Sequence, residues 1–440
     1  MRTTSDHRWV FVILTCALLL RLPMIAHPNV TQFDEVFYVN FVLHMLNQQP
    51  PFDIHPPLAR IMFTEIARGA GSFGVSSIPV LPNQGFKDFP FIPLRLFVAI
   101  LGSLLPLLVY TIGRILNYRP RSAALPALFV VIDNAFIIYS RAILPDTILL
   151  FFNFLALGCA FAMIRVKSKR LSLILLITGS IAIGCALSIK WLALGVLATI
   201  WLLLLSERRY GALFASGVIT LATYVLIFTS FFFYFPQGGH LDPMSTPYTT
   251  PLTQNITFPK TDHLKNVLEF LPKYHQLMLN ADRDKEIAKH VLQGAGPLAW
   301  PTSLTSTTFW VDGHGKGIVF QGNGLIWIVS FLLLLFHLGW ICWHMKHKRK
   351  WPLDRDETIL LAGYIFNYVP FFFIHRPMHL YHYFTALIFL FLMIPKIAPR
   401  MLDCIACCTR NRLIAVTLLY TTLFLIFIVF VVSIPLTYGL

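Results

Sequence analysis

Residues 91–113, FIPLRLFVAILGSLLPLLVYTIG, hold one charged side chain, Arg95, in 23 positions. A helix of that length reaches about 35 Å, enough to cross the roughly 30 Å hydrocarbon core of a bilayer. The stretch reads as a transmembrane helix, and comparable runs recur near 9–26, 123–139, 143–164, 171–189, 191–205, 212–235, 318–342, 357–374, 379–395 and 413–435. About eleven spans of this kind make the chain an all-α polytopic membrane protein. Composition agrees: 56% of the 440 residues are hydrophobic and 12% charged, a balance foreign to soluble domains.

The chain carries 35 Lys and Arg against 20 Asp and Glu, a formal charge of +15. In a membrane protein such an excess reflects cytoplasmic loops, so nucleic acid is set aside as a partner. Seven cysteines, mostly in apolar runs, form neither a zinc ladder nor a disulfide framework. The first run lacks a small-residue cleavage site and carries Arg21 and Pro23, so it reads as an uncleaved span.

Basic clusters fall in alternate loops: Arg114, Arg119 and Arg121; Arg165, Lys167, Lys169 and Arg170; Arg208 and Arg209; Lys346 to Lys350; Arg400, Arg410 and Arg412. The positive-inside rule places them and the N-terminus in the cytoplasm, and the C-terminus outside. Cys404, Cys407 and Cys408 then lie at the cytoplasmic surface, open to acylation, to metal binding or to no role at all. Two polar segments too long for turns, 27–90 and 236–317, fall on the outer face of what reads as one transmembrane domain over 1–440. Amphipathic stretches near 34–48, 57–69 and 263–280 suit helices lying along the interface as lids.

Ionisable residues at membrane depth are expensive and mark function. They cluster on the outer face: Asp34, Glu35, Asp53 and His55 in the first loop, Arg95 at the start of the second span, then Arg141, Asp146, Lys190, His375, Arg376, His379 and His382 in short turns. Arg141, Lys190 and Arg376 break the positive-inside pattern. A single one is explained by snorkelling to headgroups, whereas three facing two acidic pairs indicate a shared anionic site. Helix capping accounts for one of Asp34 and Glu35 but not both. The run Phe52-Asp53-Ile54-His55-Pro56-Pro57-Leu58 reads as an extended entry to a helix that starts on proline, a rigid turn that fixes Asp53 and His55.

With these residues assembled, the chain resembles the protein O-mannosyltransferases, membrane enzymes of the GT-C class that use a polyprenyl-phosphate sugar donor. The likeness runs along the whole length: Arg21-Leu22-Pro23, Phe33-Asp34-Glu35-Val36, the Pro-Pro turn, Arg95-Leu96-Phe97, Asp133-Asn134, Ser140-Arg141, Leu144 to Phe152, Ser188-Ile189-Lys190-Trp191, Gly322-Asn323 and Leu380-Tyr381-His382-Tyr383. It implies a GT-C fold with the catalytic carboxylate in the first outer loop. By that resemblance Asp34 and Glu35 match the essential acidic pair, and Arg95 the essential arginine. Segment 236–317 is too short for the sugar-binding MIR domain of eukaryotic members, so the chain looks like the smaller prokaryotic form.

The implied reaction moves mannose to an acceptor hydroxyl, a protein Ser or Thr, in one inverting displacement. A polyprenyl phosphate leaves as an anion and needs no general acid, so one base and a cationic clamp suffice. Asp34 is the expected base, with Glu35 orienting the acceptor or replacing it. Arg95, Arg141, Lys190, Arg376 and His382 are the expected phosphate contacts, supported by Asp53, His55 and Asp146. Arg95 also admits a plainer role, pairing with Asp34 or Asp146 to organise the loop. His55 and His382 admit phosphate donation, metal ligation or packing, and a divalent cation stays open because some GT-C relatives carry one.

The nearest alternative is a transferase resembling the lipid A aminoarabinose transferases, which place Lys before the paired prolines where this chain has His55. A transporter would show inverted repeats and broken helices, and neither is visible. Relatives often pair, so a dimer is open to it. The membrane is the plasma membrane in a prokaryote and the endoplasmic reticulum in a eukaryote.

Overall fold

The computed structural model describes residues 4–71, 80–241, 256–261, 264–283, 294–374 and 378–440. Its helices are α1 (Thr4–Arg21), α2 (Glu35–Leu46), α3 (Leu58–Gly69), α4 (Phe91–Ile115), α5 (Pro120–Ile132), α6 (Asn134–Tyr139), α7 (Asp146–Met163) and α8 (Lys169–Leu187). They continue as α9 (Leu194–Ser206), α10 (Tyr210–Phe232), α11 (Leu264–Arg283), α12 (Gly324–Lys348), α13 (Arg355–Tyr368), α14 (Phe384–Thr409), α15 (Arg412–Val432) and α16 (Ile434–Tyr438). Two small antiparallel pairs accompany them: β1 (Gly239–His240) with β2 (Thr257–Phe258), and β3 (Thr307–Val311) with β4 (Gly317–Phe320).

A helix lies on each apolar run, and among the described residues seven helices are long and apolar enough to cross a membrane. The chain is therefore an integral multi-pass membrane protein. The remaining runs are shorter or interrupted: Asp133 ends α5, and its carboxylate then caps α6 by accepting from the Ala135 and Phe136 N–H groups. Helix α4 is central, packing on α1, α5 and α7. A Cβ at Gly102 would lie 2.3 Å from that of Ser140, so glycine there lets the Ser140–Arg141 turn press against α4.

Two boundaries and one helix placement depart from the sequence reading. The run 318–342 begins as strand, because Ile318 and Phe320 face inward against β3, and the helix starts only at Gly324. The run 379–395 becomes a helix that continues through Pro395 and Pro399 to Thr409, which puts Cys404, Cys407 and Cys408 on its exposed last turns. Helix α2 is no surface lid: ten of its twelve residues are buried, and it packs on α3. Of the other two, α3 buries one face, and α11 seats Val267, Phe270, Tyr274 and Met278 against the Phe228, Phe231 and Phe232 end of α10.

The two ends of the bundle differ in chemistry. At the end away from the long loops, charges pair locally: Asp6 with Arg114 at 2.6 Å, Glu357 with Arg400, Asp354 with Lys396, and Asp356 with Arg165. The loop end gathers the candidate residues.

Candidate active site

The first loop enters α2 through an unusual backbone. Phe33 has φ +46°, a left-handed conformation that a bulky residue adopts only when its surroundings impose it. Its N–H donates to the Phe309 carbonyl of β3 at 3.0 Å, and its ring stacks on that of Phe309 at 4.6 Å and 12°. Asp34 follows at the N-cap, yet its side chain makes no capping bond. Among the described residues its carboxylate has no hydrogen-bond or ion-pair partner. Burial pushes this carboxyl up to about 7; Lys190 pulls the other way, and the negative charges of Asp146 and Asp53 add to the rise.

Glu35 is the opposite case. Its carboxylate accepts from Arg95 Nε at 2.9 Å, Arg95 Nη2 at 2.7 Å, the Gln32 N–H at 2.9 Å and the Ile143 N–H at 2.8 Å. Both side chains are fully buried. The other Arg95 N–H groups reach the carbonyls of Ile25, Pro28 and Val30, so all five of its donors are engaged. Phe86 and Phe91 flank the guanidinium, each ring centroid 5.1 Å away. Arg141 does similar work one turn away, donating to the carbonyls of Arg21, Pro23 and Met24 and lying over the Tyr438 ring. Glu35, Arg95 and Arg141 thus tie α2, α4 and the α6–α7 turn to the backbone of 21–30.

Lys190 and Asp146 form the second centre. Lys190 leaves α8 in an extended conformation, and its Nζ meets both Asp146 oxygens, at 2.8 and 2.9 Å, with the Tyr381 ring centroid 4.8 Å away. Both side chains are buried. The Pro56-Pro57 turn docks here, because the Leu58 N–H donates to the Ser188 carbonyl at 2.8 Å. Asp53 Oδ1 accepts from the His55 N–H, while buried Arg60 lies 3.9 Å from Asp53 Oδ2 and holds the Pro51 and His55 carbonyls. Burial raises the Asp53 carboxyl and Arg60 opposes the rise.

Beside this pair opens a cavity of ≈ 310 Å³. His55, Asp146, Lys190, Tyr381, His382 and Thr385 supply its polar wall; Leu149, Leu150, Trp191, Leu194, Phe366 and Phe371 are among its apolar lining. Asp34 is outside the lining but shares the charge field of Lys190 and Asp146. His382 is held by the His379 carbonyl through Nδ1 and lies parallel to Trp300. Arg376 lies outside the described residues. Among the described residues no three His, Cys, Asp or Glu side chains gather as a metal-ligand set.

The structure therefore brings His55, Asp146, Lys190 and His382 around one cavity, sets Asp34 and Asp53 within its charge field, and places Glu35, Arg95 and Arg141 in the loop framework. Sequence reasoning passed over Arg60 and Phe309, and quoted Tyr381 in a motif without giving it a role. Arg60 could have been found as the sole cation on the apolar face of α3, whereas Phe309 carried no signal apart from its place in a short alternating strand.

Two family models match the chain: dolichyl-phosphate-mannose-protein mannosyltransferase over residues 11–236, and the C-terminal four-transmembrane region of protein O-mannosyltransferase over 268–440. The dolichyl-phosphate-mannose–protein mannosyltransferase 1 of Candida albicans is 28% identical over 52% of this chain and 28% of its own length. That of Saccharomyces cerevisiae is 26% identical over 57% of this chain and 32% of its own. The chain thus matches under a third of the length of these relatives. Among solved structures, the S. cerevisiae Pmt1–Pmt2 complex bound to the sugar donor superposes with a TM-score of 0.80 at 16% identity, covering 100% of this chain and 91% of that one. ArnT from Cupriavidus metallidurans bound to undecaprenyl phosphate gives 0.53 at 13% identity over 89% and 60%. The Archaeoglobus fulgidus oligosaccharyltransferase gives 0.53 at 13% over 99% and 56%. These likenesses fix an all-α GT-C fold.

Proposed function

The chain belongs to the dolichyl-phosphate-mannose-protein mannosyltransferase family, and from that premise we propose that it transfers mannose from a polyprenyl-phosphate-mannose donor to a hydroxyl of a protein Ser or Thr. The observation that carries the reading is Asp34: a carboxylate with no partner among the described residues, raised to about 7, in the charge field of a lysine that lines a cavity. A general base works best with a pKa near the operating pH. Asp34 takes the proton from the acceptor hydroxyl as its oxygen attacks the anomeric carbon. The bond from that carbon to the phosphate oxygen breaks, polyprenyl phosphate departs, and configuration inverts.

Lys190 is the cation for the departing phosphate. Two of its three N–H donors face Asp146, and both side chains are buried, where a charge counts more than in water. Asp146 keeps the buried ammonium compensated while the cavity is empty. His382 and Thr385 stand on the same wall, and the apolar lining suits the first isoprene units of the carrier. Glu35, Arg95 and Arg141 hold the loop that presents Asp34, while Asp53, His55 and Arg60 fix the Pro-Pro turn.

The loop end belongs on the outer or lumenal face and the basic loops in the cytoplasm, which follows the charge bias. Pairing with a second chain fits the Pmt1–Pmt2 complex of the matched structure. The reading is tested by Asp34→Asn, which removes the base while keeping the size of the side chain. Turnover should fall about 10²–10⁴-fold with donor binding retained, and near-normal turnover would remove Asp34 from the mechanism.

A further inference from the structure

We propose that Phe309, on the β3–β4 hairpin of the second outer loop, is a positioning residue for Asp34, fixing the carboxylate through Phe33. The proposal rests on Asp34 being the base.

Phe33 stands directly before Asp34, and its left-handed φ sets the direction in which the Asp34 side chain leaves the chain. Phe309 makes two of the contacts on Phe33, the 3.0 Å hydrogen bond from the Phe33 N–H to its carbonyl and the 4.6 Å ring stack, while His379 meets the Phe33 ring edge-on at 5.3 Å. Nothing in the immediate sequence requires a positive φ there, since glycine or asparagine would be the inexpensive choice. The constraint comes from 276 positions downstream (309 − 33).

Phe309 is itself wedged. It is 2% exposed and meets Tyr139 at 5.6 Å and Phe320 at 5.1 Å. Tyr139 meets Tyr381 at 5.2 Å, and Tyr381 lies under Lys190 Nζ. The same ring cluster therefore touches both the residue that aims the base and the lysine assigned to the phosphate. Trp310 adds a second clasp, edge-on to His27 at 5.3 Å. The hairpin thus fixes the separation of base and phosphate site, which an in-line displacement needs within a fraction of an ångström.

Removing the Phe309 ring would take away the stack but keep the backbone bond and the His379 edge contact, loosening Phe33 and letting water reach Asp34. The groups facing that carboxylate are Lys190, Asp146, Asp53, Tyr38 and Tyr139; the change substitutes none of them and touches only Tyr139, a neutral phenol that loses its 5.6 Å ring contact with Phe309, so a shift in the titration of Asp34 reports solvation at its end of the cluster and not a lost charge.

The test measures kcat, KM for polyprenyl-phosphate-mannose, and the acid limb of the kcat–pH profile, in purified full-length protein. Phe309→Ala should lower kcat about 10²-fold, leave KM within about twofold, and move the acid limb down by half a pH unit or more. Phe309→Leu should recover most of both. Phe33→Gly keeps the positive φ without strain and should fall between wild type and Phe33→Ala; it decides the matter by the same limb if Phe309→Ala does not fold. An acid limb that stays at its wild-type position in these variants overturns the proposal, whatever happens to kcat. Asp34→Asn is run alongside: if it is inactive, an unmoved limb refutes the positioning role alone, and if it is active, the base assignment and this proposal fall together.

Discussion

Glu35 and Arg95 meet in a fully buried two-point salt bridge, with contacts of 2.7 and 2.9 Å, and every N–H of the arginine is committed to a protein oxygen. The neighbouring Asp34 has none of these partners. Adjacent carboxylates in one helix turn thus differ in their surroundings, and the proposed mechanism gives the chemical task to Asp34.

Breaking that bridge should cost stability rather than donor affinity. Arg95→Ala leaves Glu35 buried without its counter-charge, though still bonded to the Gln32 and Ile143 N–H groups, a loss of about 3–5 kcal/mol, visible as a lower melting temperature in detergent. Arg95→Lys retains a charge without the fork, and its folded fraction should bind donor within about twofold of wild type. A large fall in donor affinity with unchanged melting would return Arg95 to the phosphate.

Lys190→Ala should act in the reverse sense. Losing a charge-assisted contact to phosphate, worth about 1.5–3 kcal/mol, predicts donor binding weaker by roughly 10–150-fold. Titration with a non-hydrolysable polyprenyl-phosphate ligand measures it. Donor affinity unchanged in this variant would dissociate Lys190 from the phosphate.

The raised carboxyl of Asp34 links activity and stability to pH. Activity should rise through about pH 7 as the base ionises. Folding runs against it: between the ordinary carboxylate range and about 7 the folded chain holds a proton that the unfolded chain has lost, so stability contributed by this group declines as pH rises through that window. Asp34→Asn should therefore stabilise the protein by about 1–3 kcal/mol at pH 8, with the gain vanishing towards pH 4. A variant less stable than wild type at pH 8 contradicts the origin assigned to the shift.

Orientation is open to labelling, since Cys404, Cys407 and Cys408 are exposed at the end opposite the loops. In sealed cells a membrane-impermeant maleimide should leave them unmodified until the membrane is permeabilised. Labelling of intact cells would invert the assignment.

Span positions and the acidic and basic clusters were legible because charge in an apolar context is conspicuous. Their pairing was not. Nothing in the spacing tells Asp34 from Glu35, and only the approach of Arg95, Gln32 and Ile143 distinguishes their surroundings. The hairpin was hidden for a different reason: Ile318-Val319-Phe320 is apolar enough to merge with the span after it, and only pairing with β3 reveals two-residue periodicity. The continuation of α14 past Pro395 and Pro399 was obscured by the weight that proline carries against helices in water-soluble contexts.

The most direct measurement is transfer of radiolabelled mannose from polyprenyl-phosphate-mannose to a Ser/Thr-rich peptide by the purified protein, beside Asp34→Asn. The account predicts mannosyl peptide with inverted anomeric configuration from wild type, and none above background from the variant. Label that reaches only lipid or water, or equal transfer by both proteins, would contradict it.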